Sequence, residues 1–261
     1  MRIGPLAAKL PEIPRVGIVG FGAFGQLMAR ELRPHAALLA WDPATGLDAA
    51  ADRHGVRLAP LVEVARCAVV VLAVPVSRLA EAVAAVAPHL RPGALVLDVG
   101  SVKVGPAAIL DRGLPAHVRI VATHPLFGPE SARDGVAGLK IAVCPVRGPG
   151  ALRLAAFLRS RLRLEVILTT PDAHDREMAT AQGLTHLIAR ALVQMDPLPS
   201  RMTTRSFDHL VAAIDMVRND APEVYEAIER ANPYAAEVRA RFFSLMTALE
   251  ADLAPHVERV A

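Results

Sequence analysis

The chain has 261 residues and a formal net charge of +3, from 29 basic and 26 acidic residues. That length fits one large domain or two modest ones with a real core, and the scattered, nearly balanced charge gives no footprint for nucleic acid. The two cysteines, Cys67 and Cys144, each lie in an apolar run. They read as buried thiols in a reducing cytoplasm, and no zinc-type spacing exists, so no metal is expected.

The N-terminal "MRIGPLAAKLPEIPR" is an interrupted, proline-containing pattern without a signal-like apolar core, and reads as a short arm. From Arg15 to about Thr170, short apolar runs alternate with helical patterns. "RVGIVG" (15–20), "ALLAW" (37–41), "AVVVLAV" (68–74), "ALVLDV" (94–99) and "RIVAT" (119–123) read as strands buried on both faces. In "SRLAEAVAAVAPHL" the residues Leu79, Val83, Val86 and Leu90 form a helical stripe, with Ser77 as a candidate N-cap. "GLKIAVCPV" and "RLEVILTT" add two strands around a helix near 150–162. The longest strongly apolar run, "CAVVVLAVPV", is far shorter than the roughly 20 residues that span a bilayer. No membrane partner is expected. This βαβ series predicts an α/β, Rossmann-type doubly wound sheet over residues 1–170.

After Thr170 only helical patterns follow, so residues 171–261 are expected to form an all-α domain. Leu184, Leu187, Ile188, Ala191, Leu192 and Met195 share one face, with Gln182 and His186 opposite. Phe207, Leu210, Ile214 and Val217 form a second stripe. Asn232 is a candidate N-cap, with Pro233 at the first helical position and Tyr234, Val238, Phe242, Leu245 and Leu249 as a third stripe. A domain of this size has a small core and is expected to pack on the first domain or on a second subunit.

"VGIVGFGAFGQLMARELR" carries Gly20, Gly22 and Gly25 as G-x-G-x-x-G between a strand and a helix. In that context the first glycine makes the tight turn, the second admits a pyrophosphate, and the third lets helix and strand approach. Phe21, Ala23 and Phe24 complete the loop. Asp42 ends the next strand 22 residues after Gly20, where a carboxylate accepts the adenosine ribose hydroxyls and repels a 2′-phosphate, so NAD is favoured over NADP. Val74 and Pro75, Ser101 and Lys103, and His124 follow three further strands. In an open parallel sheet those C-terminal ends share the ligand-binding edge.

"GFGAFG", "DVGSVK" (98–103), "THPLFGPES" (123–131), "HDREMATAQGLTH" (174–186) and "DAPEVYEAI" (220–228) together resemble the prephenate/arogenate dehydrogenase family of tyrosine biosynthesis, from about Arg15 to Leu253. The glycine loop and "THPLFGPES" are most similar to the plant-type arogenate enzymes, which usually lack an acid at the position of Asp42 and prefer NADP. The resemblance implies an oxidative decarboxylation of prephenate or arogenate with hydride transfer to NAD(P). It implies His124 as the catalytic histidine and Ser101 as its partner at the substrate hydroxyl. It further implies Glu130, Gln182 and His186 in the substrate pocket, and Arg205 or Arg218 as the carboxylate-binding arginine, with Arg205 slightly ahead. A cytoplasmic homodimer through the helical domain, without a fused mutase or regulatory domain, is also implied. Two other readings stay open: a different two-domain reductase, or a non-catalytic dinucleotide-binding module. A β-hydroxyacid dehydrogenase would want a lysine in its helical domain, and none follows Lys140.

Overall fold

The computed structural model describes residues 15–195 and 197–254, so the N-terminal arm lies outside the described residues. The chain divides into two compact units between Pro171 and Asp172. The first unit is built as β1 (Val16–Val19), α1 (Ala23–Leu32), β2 (Leu38–Trp41), α2 (Asp48–His54), β3 (Arg57–Leu58), α3 (Leu61–Ala65) and β4 (Val69–Leu72). It continues with α4 (Leu79–Val86), β5 (Leu95–Asp98), α5 (Val104–Gly113), β6 (Arg119–Pro125), β7 (Lys140–Arg147), α6 (Ala151–Arg161) and β8 (Glu165–Leu168). The eight strands form one sheet in the order β3-β2-β1-β4-β5-β6-β7-β8.

Both faces of the sheet are covered, as the apolar strands require. Val16 and Ile18 pack with Leu27 and Ala29 of α1 and Leu158 of α6 on one face. On the other, Val19, Val70, Leu72 and Val96 pack with Val64 of α3, Val83 and Val86 of α4 and Leu110 of α5. Strand periodicity of two produces this split, because successive side chains alternate faces. The stripe Leu79, Val83, Val86 and Leu90 is buried. Its helix opens differently from the expectation: a 3₁₀ turn, Val76–Arg78, follows Pro75, and Arg78 rather than Ser77 occupies the cap position.

The sheet is not wholly parallel. β7 runs antiparallel to β6 because the connection at 126–139 contains no crossover helix, and a parallel return needs one. β8 then joins β7 in parallel through α6. The β6–β7 ladder carries a register shift at Ile120/Val121, beside Pro145, which has no N–H for a ladder bond. Because β7 lies alongside, β6 runs on through Pro125 instead of ending at Thr123. Its residue His124 pairs with Ala142.

The second unit comprises α7 (Pro171–Ala181), α8 (Gly183–Gln194), α9 (Arg205–Val217), α10 (Pro222–Glu226), a π-helical turn (Ala227–Ala231) and α11 (Ala235–Leu253). No strand occurs beyond Leu168 among the described residues. The helical pattern before Met195 is broken into two helices at Gln182. Asn232 does not cap α11 directly; its Oδ1 accepts from the Tyr234 N–H at 2.9 Å in the turn just before the helix. The apolar core of this unit is thin: Ala179, Ala189, Ile214, Ala227, Ile228 and Ala235 are its buried apolar residues among those described.

Candidate active site

The glycine loop has the geometry that a dinucleotide needs. Gly20 sits at φ +96°, a left-handed conformation that strains any residue with a Cβ, and a Cβ there would meet the Ala73 carbonyl. A Cβ on Gly25 would run into the Gly20 carbonyl, whereas one on Gly22 would meet nothing within 4 Å. So Gly20 and Gly25 serve the fold, and Gly22 leaves open space at the N-terminus of α1. That terminus has no side-chain cap and no acid in its first turn. Its amides and dipole are free to face an anion.

Asp42 ties this loop to β2. Its Oδ2 accepts the Phe21 N–H at 2.7 Å and its Oδ1 the Ala44 N–H at 2.9 Å. The Phe21 side chain is fully buried in the core, and its carbonyl accepts from Gln26, so its contribution to the loop is structural. Ala23 is exposed and Phe24 half-buried. Val74 is half-buried, and its Cγ1 would lie 3.1 Å from a Cβ on Gly20, while Pro75 is exposed at the head of the 3₁₀ turn.

The strand order lines these groups up at one sheet edge. Asp42 follows β2, the glycines follow β1, Val74 and Pro75 follow β4, Ser101 follows β5, and His124 lies at the end of β6. With neighbouring strands about 4.8 Å apart, the series spans roughly 19 Å. That is an extended site for an extended ligand.

His124 is buried, at 4% exposure. Since Asp98 pairs with Ala122, β6 overruns β5 by Thr123, His124 and Pro125. Thr123 would lose its partners there. Instead, Asp98 Oδ1 takes the Thr123 N–H at 3.3 Å, and buried Lys103 donates to the Thr123 carbonyl at 2.6 Å. Lys103 and Asp98 form an ion pair, and Asp98 Oδ2 also accepts the Gly100 N–H at 3.0 Å. Ser101, half-buried, lies within the loop that this pair closes. The cap position of α5 is Lys103, so Ser101 is not a helix cap.

The loop after His124 is held to α1. Phe127 packs on Phe24 with ring centroids 6.5 Å apart, and Arg30 donates to the carbonyls of Ala132 (2.5 Å) and Arg133 (3.5 Å). Glu130 is exposed and pairs with Arg133 at 3.2 Å on the surface of this loop. A cavity of about 80 Å³ lies between α1, α6 and the sheet, lined by Leu27, Leu97, Phe127 and Phe157 among others. Its apolar walls offer nothing to a charged substrate.

Within the helical unit, His186 lies on the buried side of α8 with Gly183 and Ala189, while Leu184, Leu187, Ile188 and Leu192 are half-buried. The face opposite the leucine stripe is thus the packed one. Small residues at 183 and 189 permit the closer approach. His186 Nε2 lies 3.8 Å from Asp220 Oδ2. Burial lowers the His186 pKa and raises that of Asp220, so desolvation outweighs attraction at this separation. Since the folded state disfavours the charged imidazole, the unfolded chain binds more protons below about pH 6.5, and stability falls as pH drops through that value. Melting curves of wild type and His186→Gln between pH 7.5 and 5 check this. The variant should lose part of the acid-side decline, and an identical decline would refute the assignment.

The two arginines are far apart. Arg205 opens α9 and Arg218 closes it, roughly 20 Å away at 1.5 Å per residue. Both are exposed. Arg218 pairs with Asp215 at 3.0 Å and precedes Asp220, so it is the arginine on the His186 side. Sequence reasoning missed Glu229, which lies buried beside α8. Glu229, in the π-helical turn, pairs with Arg239, yet its Oε1 and the Oε1 of Gln182 are buried without a hydrogen-bond partner among the described residues. Gly183 lies beside that carboxylate, and a Cβ there would be 3.7 Å from Glu229 Oε1, an ordinary contact. His174 and Asp175 form a second buried pair at 2.7 Å.

Residues 28–147 match the family model described as prephenate dehydrogenase, nucleotide-binding domain. A 4-amino-4-deoxyprephenate dehydrogenase of Streptomyces pristinaespiralis is 30% identical over 243 residues, covering 86% of this chain and 79% of the relative. The chain belongs to the prephenate dehydrogenase family. Arogenate dehydrogenase 2 and arogenate dehydrogenase 1 of Arabidopsis thaliana are 29% and 28% identical, and the chain spans 65% and 39% of their lengths, under two thirds of each. The fold agrees with a solved prephenate dehydrogenase from A. aeolicus, at a TM-score of 0.74, 22% identity and 93% coverage of this chain and 91% of that one. The family match begins inside α1, so the glycine loop rests on its own geometry.

Proposed function

We propose that this family member is a dehydrogenase of the cytoplasm that oxidatively decarboxylates prephenate, arogenate or both, using NAD in preference to NADP. The carrying observation is the ordered edge from Asp42 through the glycine loop to Ser101 and His124. The open space at Gly22 and the uncapped start of α1 fit a pyrophosphate, and Asp42 beside them fits a free ribose 2′-hydroxyl. Bound NAD would take the hydride from ring C4. The chain's own tasks are then positional and acid–base. His124 accepts the C4 hydroxyl proton, and Ser101 hydrogen-bonds the same hydroxyl. Carbon dioxide leaves C1, and the ring's aromatisation supplies much of the driving force, so no metal ion is called for.

The region to 170 acts as the dinucleotide-binding domain, and the region after it as the substrate and dimerisation domain. There His186, kept neutral by burial, and Gln182 bind the substrate side chain. Arg218, on the same side as His186, binds a carboxylate ahead of Arg205. Glu130, facing solvent, keeps only a peripheral role in substrate binding. A homodimer is supported by α11, where Phe243, Leu245, Met246 and Leu249 are about half exposed. NADH or NADPH formation with prephenate and with arogenate tests the reading. NAD should give the higher kcat/KM, and Asp42→Ala should narrow the NAD:NADP ratio by about tenfold, the equivalent of one lost charge-assisted bond. A wild-type preference for NADP would overturn the Asp42 role.

A further inference from the structure

We propose that Lys103, paired with Asp98, is a positioning residue that fixes the imidazole of His124 and the hydroxyl of Ser101 relative to one another. The inference rests on the catalytic reading of those two groups. Lys103 is fully buried, and Asp98 and Thr123 are exposed by only 1% and 3%. A buried ammonium at the cap position of α5 breaks a local rule, because the helix dipole disfavours positive charge at that end. Sequences keep such conflicts where something else requires them.

The requirement is visible in the hydrogen bonds. β5 ends at Asp98 while β6 continues, so no strand backbone remains to hold Thr123 on that side. The Asp98 carboxylate and the Lys103 ammonium replace it, one taking the N–H and the other giving to the carbonyl. The Thr123 hydroxyl donates to the Asp98 carbonyl as a further tie. On its other side, His124 is held in the ladder with Ala142. The same ion pair closes the loop 98–103, which carries Ser101, and Asp98 grips that loop again at Gly100. One pair therefore anchors both groups.

The test compares wild type, Lys103→Gln and the double variant Asp98→Asn/Lys103→Gln. In the single variant kcat should fall about 10- to 100-fold, as for a group that orients a catalytic one, with NADH affinity within about twofold. The double variant leaves no unpaired buried carboxylate and should recover about tenfold of the loss. Unchanged kcat, parallel loss of kcat and NADH affinity, or no recovery in the double variant would overturn the proposal. If wild type turns over neither prephenate nor arogenate, the catalytic reading falls by itself. Amide exchange at Thr123 and His124 then decides the positioning. It should quicken about tenfold or more in Lys103→Gln, and unchanged exchange overturns it.

Discussion

His124→Asn should lower kcat by about 10²- to 10⁴-fold, the range of a lost general base, while NAD binding stays within about twofold. Asparagine keeps a similar volume and a polar tip but cannot take a proton near neutral pH. The backbone at 124 is paired with Ala142 in the sheet, and its neighbour Thr123 is held by Asp98 and Lys103. The substitution therefore leaves the strand in place. Steady-state kinetics with NADH titration checks this. Equal losses in turnover and cofactor affinity would make His124 a structural histidine.

Gly25→Ala should act in the opposite way, through binding rather than chemistry. The added methyl would collide with the Gly20 carbonyl, a backbone atom in a residue already at φ +96°. Neither can yield cheaply, so α1 must move off β1 and carry the open N-terminus at Gly22 with it. We expect dinucleotide affinity to fall by about 30-fold or more, with a stability loss of about 1–3 kcal/mol, typical of overpacking. Gly22→Ala, which meets no atom within 4 Å, should keep the stability and lose affinity only where a bound pyrophosphate needs the space. Isothermal titration and thermal melts separate the two. Undiminished affinity in Gly25→Ala would remove the glycine loop from the cofactor site.

The sheet was legible because burial on both faces writes strands as unbroken apolar runs, and the glycine spacing marks the turn between β1 and α1. Strand direction is not written that way. Nothing in "GLKIAVCPV" distinguishes a parallel neighbour from an antiparallel one, so the reversal at β7 and the longer β6 appeared only in the structure. The two-residue β3 is too short for periodicity to register. Helix faces were ambiguous for a related reason. Periodicity finds two sides of α8 but does not tell which one packs within its own unit, and Gly183, His186 and Ala189 are buried ahead of the leucines. The motif "THPLFGPES" implies an acid at Glu130 but does not encode that it lies exposed beside Arg133. In the sequence Lys103 closes "DVGSVK" after a strand, and no partner is readable there. Its partners, Asp98 five positions back and Thr123 twenty ahead, come together through the parallel β5–β6 register, which a single sequence does not encode.

The antiparallel return at β7 also separates two jobs that one loop would otherwise share. His124 is clamped in the ladder before the chain leaves the sheet, and Lys140 re-enters at its edge. The segment between, residues 126–139, hangs from both ends and is pinned to α1 at Phe127, Ala132 and Arg133. Its exposed tip is therefore free to change length or composition without re-aiming the imidazole. In this architecture the loop can vary while the backbone at His124 stays held in the ladder.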